Sequence, residues 1–503
     1  MELQQKLNKT YILNPGYILR NDINRIILAT IDLKDFESSK VNNIITFLHP
    51  VYAVMLSFFK GNKPLNENIK EISEYFDITY AEACAITDKF IDNPTQLAIE
   101  YDGNFFYLPQ NILIENKKNY PLRTYSADDF VIEGELDVEN MRLNIPLEAN
   151  ILINNKCVTD CIYCYADKRK IYDCTIPLPR IKEIISEAKK LGITSFDIQG
   201  GEIFLYEYWY ELLKCLFDAG YPVYISTKCP IKTDDIKKLT ELGVKEIQIS
   251  LDSIYEEDLK KNLHVGPQYH SDILNTIARL NEAGLSIKLK AVITKPIFDI
   301  QKIEDYIDYF KQYEHISIVD LTIPAHSLYK TQKEFFNYRL DEEQINAIIR
   351  LVDQKKDSCK YSLSVDVPEK NITCKMAFDE KRQTFYKRSR CTGNQSAFII
   401  LPNGDVSICE EAYFNKNLIL GNILKNSIMD VWNSPKAKNL FFISQSIFPK
   451  ESPCSKCAEF KQCRYDLGVC WTDAMAAYGE ENWLFPVPEC PYAPSPRNVT
   501  TIW

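Results

Sequence analysis

The chain has 503 residues, which at about 150 residues per domain implies roughly three domains. Its 59 Lys and Arg against 69 Asp and Glu leave a net charge of −10. With no basic block, this balance excludes a general nucleic-acid binder, because neutralising phosphates needs clustered Lys and Arg. No apolar run approaches the ~18 residues of a membrane span. The start, Met1-Glu-Leu-Gln-Gln-Lys6, shows no apolar stretch behind a basic head. A cytoplasmic protein with no membrane partner is expected.

Residues 1–120 hold one cysteine, Cys84, and read as a small α+β domain. Tyr17–Arg20 and Arg25–Ile31 alternate around Asn21-Asp22, a hairpin signal. Tyr52–Lys60 is an apolar helix, and Asn66–Tyr75 and Thr79–Asp92 have helical spacing. Gln96–Tyr101 and Asn104–Leu108 flank Asp102-Gly103, a type I′ hairpin signal. Hairpin, three helices, hairpin is a winged-helix pattern, but it lacks a basic recognition helix. It resembles the peptide-recognition domain of maturases of ribosomally made peptides. That resemblance implies a leader peptide pairing with a sheet edge through main-chain hydrogen bonds. A scaffold or dimerisation unit is the plainer alternative.

Residues 147–356 alternate β-branched runs with amphipathic stretches. Strands are expected near Asn150–Ile153, Ser195–Ile198, Pro222–Ser226, Glu246–Leu251, Ser286–Ile293 and Ser317–Thr322. Helices are expected near Arg180–Leu191, Tyr206–Ala219, Thr233–Leu242, Asp272–Ala283, Ile300–Gln312 and Asp341–Asp353. Gly192, Gly220, Gly243 and Gly284 stop four of them at the C′ position. Six βα units argue an α/β fold, a parallel sheet curved into a partial (β/α)6 TIM-like barrel. Its chemistry is expected at the C-terminal strand ends.

Sixteen cysteines are many for a cytosolic chain, where disulfides are rare and metal binding is the commoner use. The five histidines, His49, His264, His270, His315 and His326, pair with no likely ligand at close helical spacing. Thiolate ligation remains. After the first barrel strand comes Cys157-Val-Thr-Asp-Cys161-Ile-Tyr-Cys164. Three thiolates on one cluster leave an iron open to bind a cofactor directly. Three buried thiols or a zinc knuckle are the alternatives. The C-x3-C-x2-C spacing resembles the signature of radical S-adenosylmethionine enzymes. The resemblance implies a 4Fe–4S cluster whose fourth iron binds S-adenosylmethionine and cleaves it to a 5′-deoxyadenosyl radical. It assigns Tyr163 to the adenine and Gly200-Gly201-Glu202 to the cofactor's amino group. It assigns Ser226-Thr227 to the carboxylate, and Ser250 with Asp252 to the ribose. Ile203 departs from the proline that usually follows the Glu. No catalytic side chain is named.

Residues 357–503 hold nine cysteines and little periodicity. Cys391 is followed by Gly404-x4-Cys409, then Cys454-x2-Cys457-x5-Cys463, Cys470 and Cys490. This looks like the SPASM extension of peptide-modifying radical enzymes, which implies two auxiliary 4Fe–4S clusters. Cys391, Cys409 and Cys470 would ligate the first, and Cys454, Cys457, Cys463 and Cys490 the second. Arg464–Val469 puts six residues where the family usually has three, so Cys470 is the displaced ligand. The fourth ligand of the first cluster is Cys374 or an iron left open to a substrate thiolate. A zinc ribbon on Cys454 and Cys457 is the alternative. Cys84, Cys174, Cys215, Cys229 and Cys359 fit no ligand spacing. Cys84 and Cys215 read as small core residues, and Cys229 adjoins the carboxylate motif.

Together these resemblances imply a maturase of sactipeptide or ranthipeptide type. It would take a precursor peptide with a leader and an electron donor such as flavodoxin or ferredoxin, and form Cys thioether crosslinks. Carbon–carbon crosslinking, epimerisation and sulfatase-maturase-like oxidation are other outcomes of the same chemistry. A non-catalytic iron–sulfur winged-helix regulator would explain the cysteines, but not the Gly200-Gly201-Glu202 and Ser250-x-Asp252 motifs.

Overall fold

A computed structural model describes residues 6–31, 45–91, 93–101, 103–117, 120, 122–166, 175–367, 377–412 and 415–498. Asp102, Cys174 and Cys374 lie outside the described residues. The chain divides into two compact units, Met1–Ile145 and Pro146–Trp503. Among the described residues, no helix is long and apolar enough to cross a membrane.

The first unit runs β1 (Thr10–Leu13), β2 (Tyr17–Asn21), β3 (Ile26–Thr30), β4 (Ile45–Leu48), a helix Pro50–Ser57, β5 (Lys60–Pro64), helices Leu65–Phe76 and Tyr80–Asp88, then β6 (Leu97–Tyr101), β7 (Asn104–Leu108) and β8 (Leu113–Glu115). The two expected hairpins are β2–β3 and β6–β7, both antiparallel. Gly103 takes a φ of +74° in the second, the left-handed turn that glycine adopts without penalty. Thr79 and Glu82 form a reciprocal capping box that starts the third helix. Strands β1, β4, β5 and β8 were not expected. β5 reads Lys-Gly-Asn-Lys-Pro, with no apolar alternation, and is a strand only through pairing with β1. The unit extends past residue 120, because Asp22 holds its last segment. The Asp22 carboxylate accepts from Arg25 Nε at 2.9 Å, Ile145 N at 2.8 Å and Asn144 N at 3.1 Å.

In the second unit, β9 (Glu148–Leu152), β10 (Ser195–Gln199), β11 (Ser226–Thr227), β12 (Glu246–Ser250), β13 (Ser286–Val292), β14 (Ile316–Thr322), β15 (Ser362–Asp366), β16 (Ala397–Ile400), β17 (Asp405–Ser407) and β18 (Ile419–Asn422) form two sheets. One has the order β10-β9-β16-β17-β18 and the other β11-β12-β13-β14-β15. Strands β9 to β16 pair in parallel wherever they meet, and β16–β17–β18 turn antiparallel. Among the described residues no ladder joins β10 to β11 or β15 to β16, so the barrel is partial and open.

The six expected helices are present, as Leu178–Lys190, Trp209–Asp218, Thr233–Glu241, Pro267–Glu282, Ile300–Phe310 and Glu342–Lys355. Glu256–Leu263, Gln332–Tyr338 and β15 are additions to the expected βα units. The third strand shrinks from Pro222–Ser226 to Ser226–Thr227. Along β13, Ile287, Leu289 and Ala291 are buried while Ser286, Lys288, Lys290 and Val292 are half-buried. That period of two sets one apolar face against the helices and leaves the other face polar. The apolar face belongs to one continuous core that runs from β9 into the cysteine-rich segment.

Candidate active site and cysteine-rich cavities

β9 and β10 pair in parallel register from Glu148↔Ser195 to Leu152↔Gln199. Their C-terminal ends therefore lie side by side. The loop after β9 carries Cys157 (exposed), Cys161 (buried) and Cys164 (half-buried). Thr159 Oγ1 lies 3.4 Å from Cys157 Sγ and 3.2 Å from Cys161 Sγ. The turn after β10 holds Gly200 at φ +61° and Gly201 at φ +56°. A Cβ on Gly200 would stand 2.0 Å from Leu152 Cδ1, and one on Gly201 would stand 2.2 Å from the Asn154 carbonyl oxygen. Only glycine fits this close approach of the two strand ends. Asn154 fastens it, accepting from Glu202 N at 3.2 Å and donating to Glu202 O at 3.0 Å.

Glu202 is 2% exposed. Its carboxylate accepts from Thr227 Oγ1 at 2.7 Å, Lys228 N at 3.3 Å and Phe204 N at 3.2 Å. Burial pushes its pKa up, against these hydrogen bonds. Glu202 thus ties the end of β10 to β11. Thr227 and Glu202, assigned to the cofactor's carboxylate and amino group respectively, are brought together. Ser226 accepts from Gln248 Nε2 at 2.7 Å, and the same amide reaches Ser250 Oγ at 3.3 Å. A row of hydroxyls and an amide, Ser226–Gln248–Ser250, lines the polar face of β11 and β12.

Asp252, 2% exposed, is the hub. It accepts from Tyr163 OH at 2.7 Å, Lys228 Nζ at 3.0 Å, Asn262 Nδ2 at 2.8 Å and Val292 N at 3.2 Å. Lys228 Nζ also lies 5.7 Å from the centroid of the Tyr163 ring, within cation–π range. Burial is the largest influence on the Lys228 ammonium and works against it, but the charge and hydrogen bond of Asp252 together with Cys161 and Cys157 raise its pKa. Burial likewise pushes the Cys161 thiol up, and the Lys228 charge opposes it. A fixed cation therefore stands beside the three-cysteine loop, where it favours thiolate. Lys228 closes the Ser226-Thr227-Lys228 motif that ends the third strand, whereas Asn262, Gln248 and Asn154 were not among the residues singled out in the sequence. Asn262 sits on the unexpected helix Glu256–Leu263, so no local signal marked it.

All described cysteines are free. Cys454, Cys457, Cys463 and Cys490 line one cavity of about 360 Å³ with Phe385, Phe460, Val469 and Val487. Four thiols facing one apolar cavity fit an iron–sulfur cluster. Among the described residues no three ligand side chains gather as they do for a single metal ion. A cubane takes one thiolate per iron and spaces them apart. Cys391 lines a second cavity of about 390 Å³. Cys391 lies near enough to Cys409 and Cys470 to disfavour their ionisation. Burial pushes the Cys409 and Cys490 thiols up to about 12, so a metal is needed to hold them as thiolates. A π-helical turn, Gln462–Leu467, takes up the long spacing before Cys470. It leaves Cys391 N bonded to Leu467 O at 3.3 Å. Cys84 packs on the core of the first unit and Cys215 on that of the second. Cys229, its pKa pushed up to about 12 by burial, donates its N–H to Thr227 Oγ1 at 2.8 Å.

Residues 151–310 match the radical SAM superfamily, and residues 391–458 match SPASM, an iron–sulfur cluster-binding domain. The PqqA peptide cyclase of Bradyrhizobium diazoefficiens is 23% identical over 355 residues, 67% of this chain and 84% of the relative. The antilisterial bacteriocin subtilosin biosynthesis protein AlbA of Bacillus subtilis is 22% identical over 380 residues, 75% of this chain and 77% of the relative. The crystal structure of Streptococcus suis SuiB bound to precursor peptide SuiA shares the fold. Its TM-score is 0.59 at 15% identity, covering 96% of this chain and 100% of that one.

Proposed function

We propose that this chain, which carries a radical SAM domain followed by a SPASM domain, modifies a ribosomally made precursor peptide and joins a Cys sulfur to a carbon of that peptide. The observation that carries the radical chemistry is the apposition of the Cys157–Cys164 loop and the Gly200-Gly201 turn at neighbouring strand ends. The peptide substrate is supported by relatives named for peptide work: the PqqA peptide cyclase, the subtilosin protein AlbA and SuiB with its precursor peptide.

Cys157, Cys161 and Cys164 would hold the first cluster. Cys391, Cys409 and Cys470 would hold one auxiliary cluster, and Cys454, Cys457, Cys463 and Cys490 the other. S-adenosylmethionine, bound with the first cluster, supplies a 5′-deoxyadenosyl radical that removes one hydrogen atom from substrate carbon. The protein's own task is positioning. Gly200 and Gly201 let the turn after β10 close onto Leu152 and Asn154, which would set its backbone beside the cofactor's amino group, and Glu202 holds Thr227. Asp252 fixes Tyr163, which would pack on the adenine, and holds Lys228 near Cys161. Ser226 and Ser250 present hydroxyls to the carboxylate and the ribose. Closing the carbon–sulfur bond loses one carbon hydrogen and one thiol hydrogen. The second would leave as a proton, and a cluster held by the C-terminal cysteines would supply an acceptor for its electron. An external one-electron donor of flavodoxin or ferredoxin type primes the cycle. The first unit would hold the leader along a sheet edge.

The test is anaerobic turnover of the reconstituted enzyme with its precursor and a reductant. The expected product is lighter by two hydrogen atoms per bond and resists thiol alkylation at the joined Cys. An unchanged count of alkylatable thiols in a product of altered mass excludes thioether formation.

A further inference from the structure

Arg464 lies in the six residues between Cys463 and Cys470, a stretch longer than the family spacing. It is 5% exposed and lines both cysteine cavities. Its guanidinium sits 4.9 Å from the ring centroids of both Phe448 and Trp471. Nη2 donates to Cys454 Sγ at 3.3 Å and to Phe485 O at 3.2 Å. Nε and Nη1 are buried with no hydrogen-bond partner. A buried charged donor left unmade is costly, so these two N–H groups call for an anionic acceptor in the space they border. A second arginine also reaches one of the four sulfurs. Arg388 lies 3.8 Å from the Phe385 ring centroid, and its Nη2 donates to Cys463 Sγ at 3.5 Å and to Gly468 O at 2.7 Å.

We infer that Arg388 and Arg464 set the charge of the Cys454–Cys457–Cys463–Cys490 site and raise the reduction potential of the cluster it holds, making it the electron-accepting auxiliary centre. This rests on the reading that those four cysteines ligate a cluster. Net charge and hydrogen bonds to sulfur are the levers that move an iron–sulfur potential. Two guanidinium N–H···S contacts, one from buried Arg464 and one from half-buried Arg388, favour the more negative, reduced state. Lysine would keep the charge but lose the planar fork that reaches two acceptors at once. Both are positioning residues and touch no substrate.

The test is a redox titration followed by electron paramagnetic resonance on the full-length, reconstituted protein. The Cys157, Cys161 and Cys164→Ala background removes the first cluster's signal. In Arg464→Gln and in Arg388→Gln, one midpoint is expected to fall by at least about 59 mV, a tenfold change in a one-electron equilibrium, with iron content unchanged. If iron is retained and no midpoint falls that far in either variant, the inference is overturned. If both Gln variants lose iron, Arg464→Lys decides. With iron regained, a midpoint that falls on loss of the N–H···S contact supports the inference, and a parental midpoint or iron still absent overturns it. The underlying reading fails separately, if replacing the four cysteines with Ala removes no iron.

Discussion

Lys228 Nζ lies 3.0 Å from the buried Asp252 Oδ1, joining the segments that follow β11 and β12. Neither charge has another ion-pair partner among the described residues. The pair also places Tyr163, whose hydroxyl donates to the second Asp252 oxygen.

Breaking that pair should be expensive. Asp252→Ala strands a buried ammonium and three other donors, with an expected loss of about 3–5 kcal/mol read by thermal denaturation. Lys228→Met combined with Asp252→Asn should recover part of it, since no lone charge remains. A single Asp252→Ala variant as stable as the parent would show that water reaches the site and replaces the carboxylate.

Gly201 and Gly103 both take a left-handed φ, but only Gly201 is crowded. Gly103→Ala should cost the conformational term alone, about 1–2 kcal/mol. Gly201→Ala must also move the Asn154 carbonyl. It should lower S-adenosylmethionine affinity at least tenfold by calorimetry. Parental affinity in Gly201→Ala would remove the turn from the cofactor site.

Iron content separates the three cysteine groups. Three cubanes correspond to about twelve Fe per chain after anaerobic reconstitution. Changing Cys157, Cys161 and Cys164 together to Ala should remove about a third of the iron and all cleavage of S-adenosylmethionine. Stoichiometric zinc in place of iron would contradict the cluster assignment.

Precursor binding should survive moderate salt, because main-chain strand pairing is screened far less than exposed charge pairs. Removing residues 1–145, the first compact unit, should weaken precursor binding while uncoupled cofactor cleavage persists. Unchanged peptide affinity in the shortened chain would place the leader site elsewhere.

Cys374→Ala addresses the thioether mechanism. If crosslinking and all auxiliary iron survive, the first auxiliary site is open and can take a substrate thiolate. Loss of about four Fe would make Cys374 its fourth ligand and close that route.

What the sequence determined by itself was whatever lies close along the chain. The Cys157–Cys164 spacing, the Gly200-Gly201 pair, the βα periodicity and the two hairpins of the first unit are local, so each was legible from neighbouring residues. The tertiary structure decided what depends on distant segments meeting. β16 joins β9 in parallel from about 250 residues away, carrying the cysteine-rich segment onto the barrel. No periodicity announces such a pairing, because it is selected by the shared core. Asp252 with Asn262 and Tyr163, and Arg388 with Cys463, are likewise invisible in any local pattern. Their meaning comes from desolvation: a charge or donor shut away from water must find its partner wherever the fold places one.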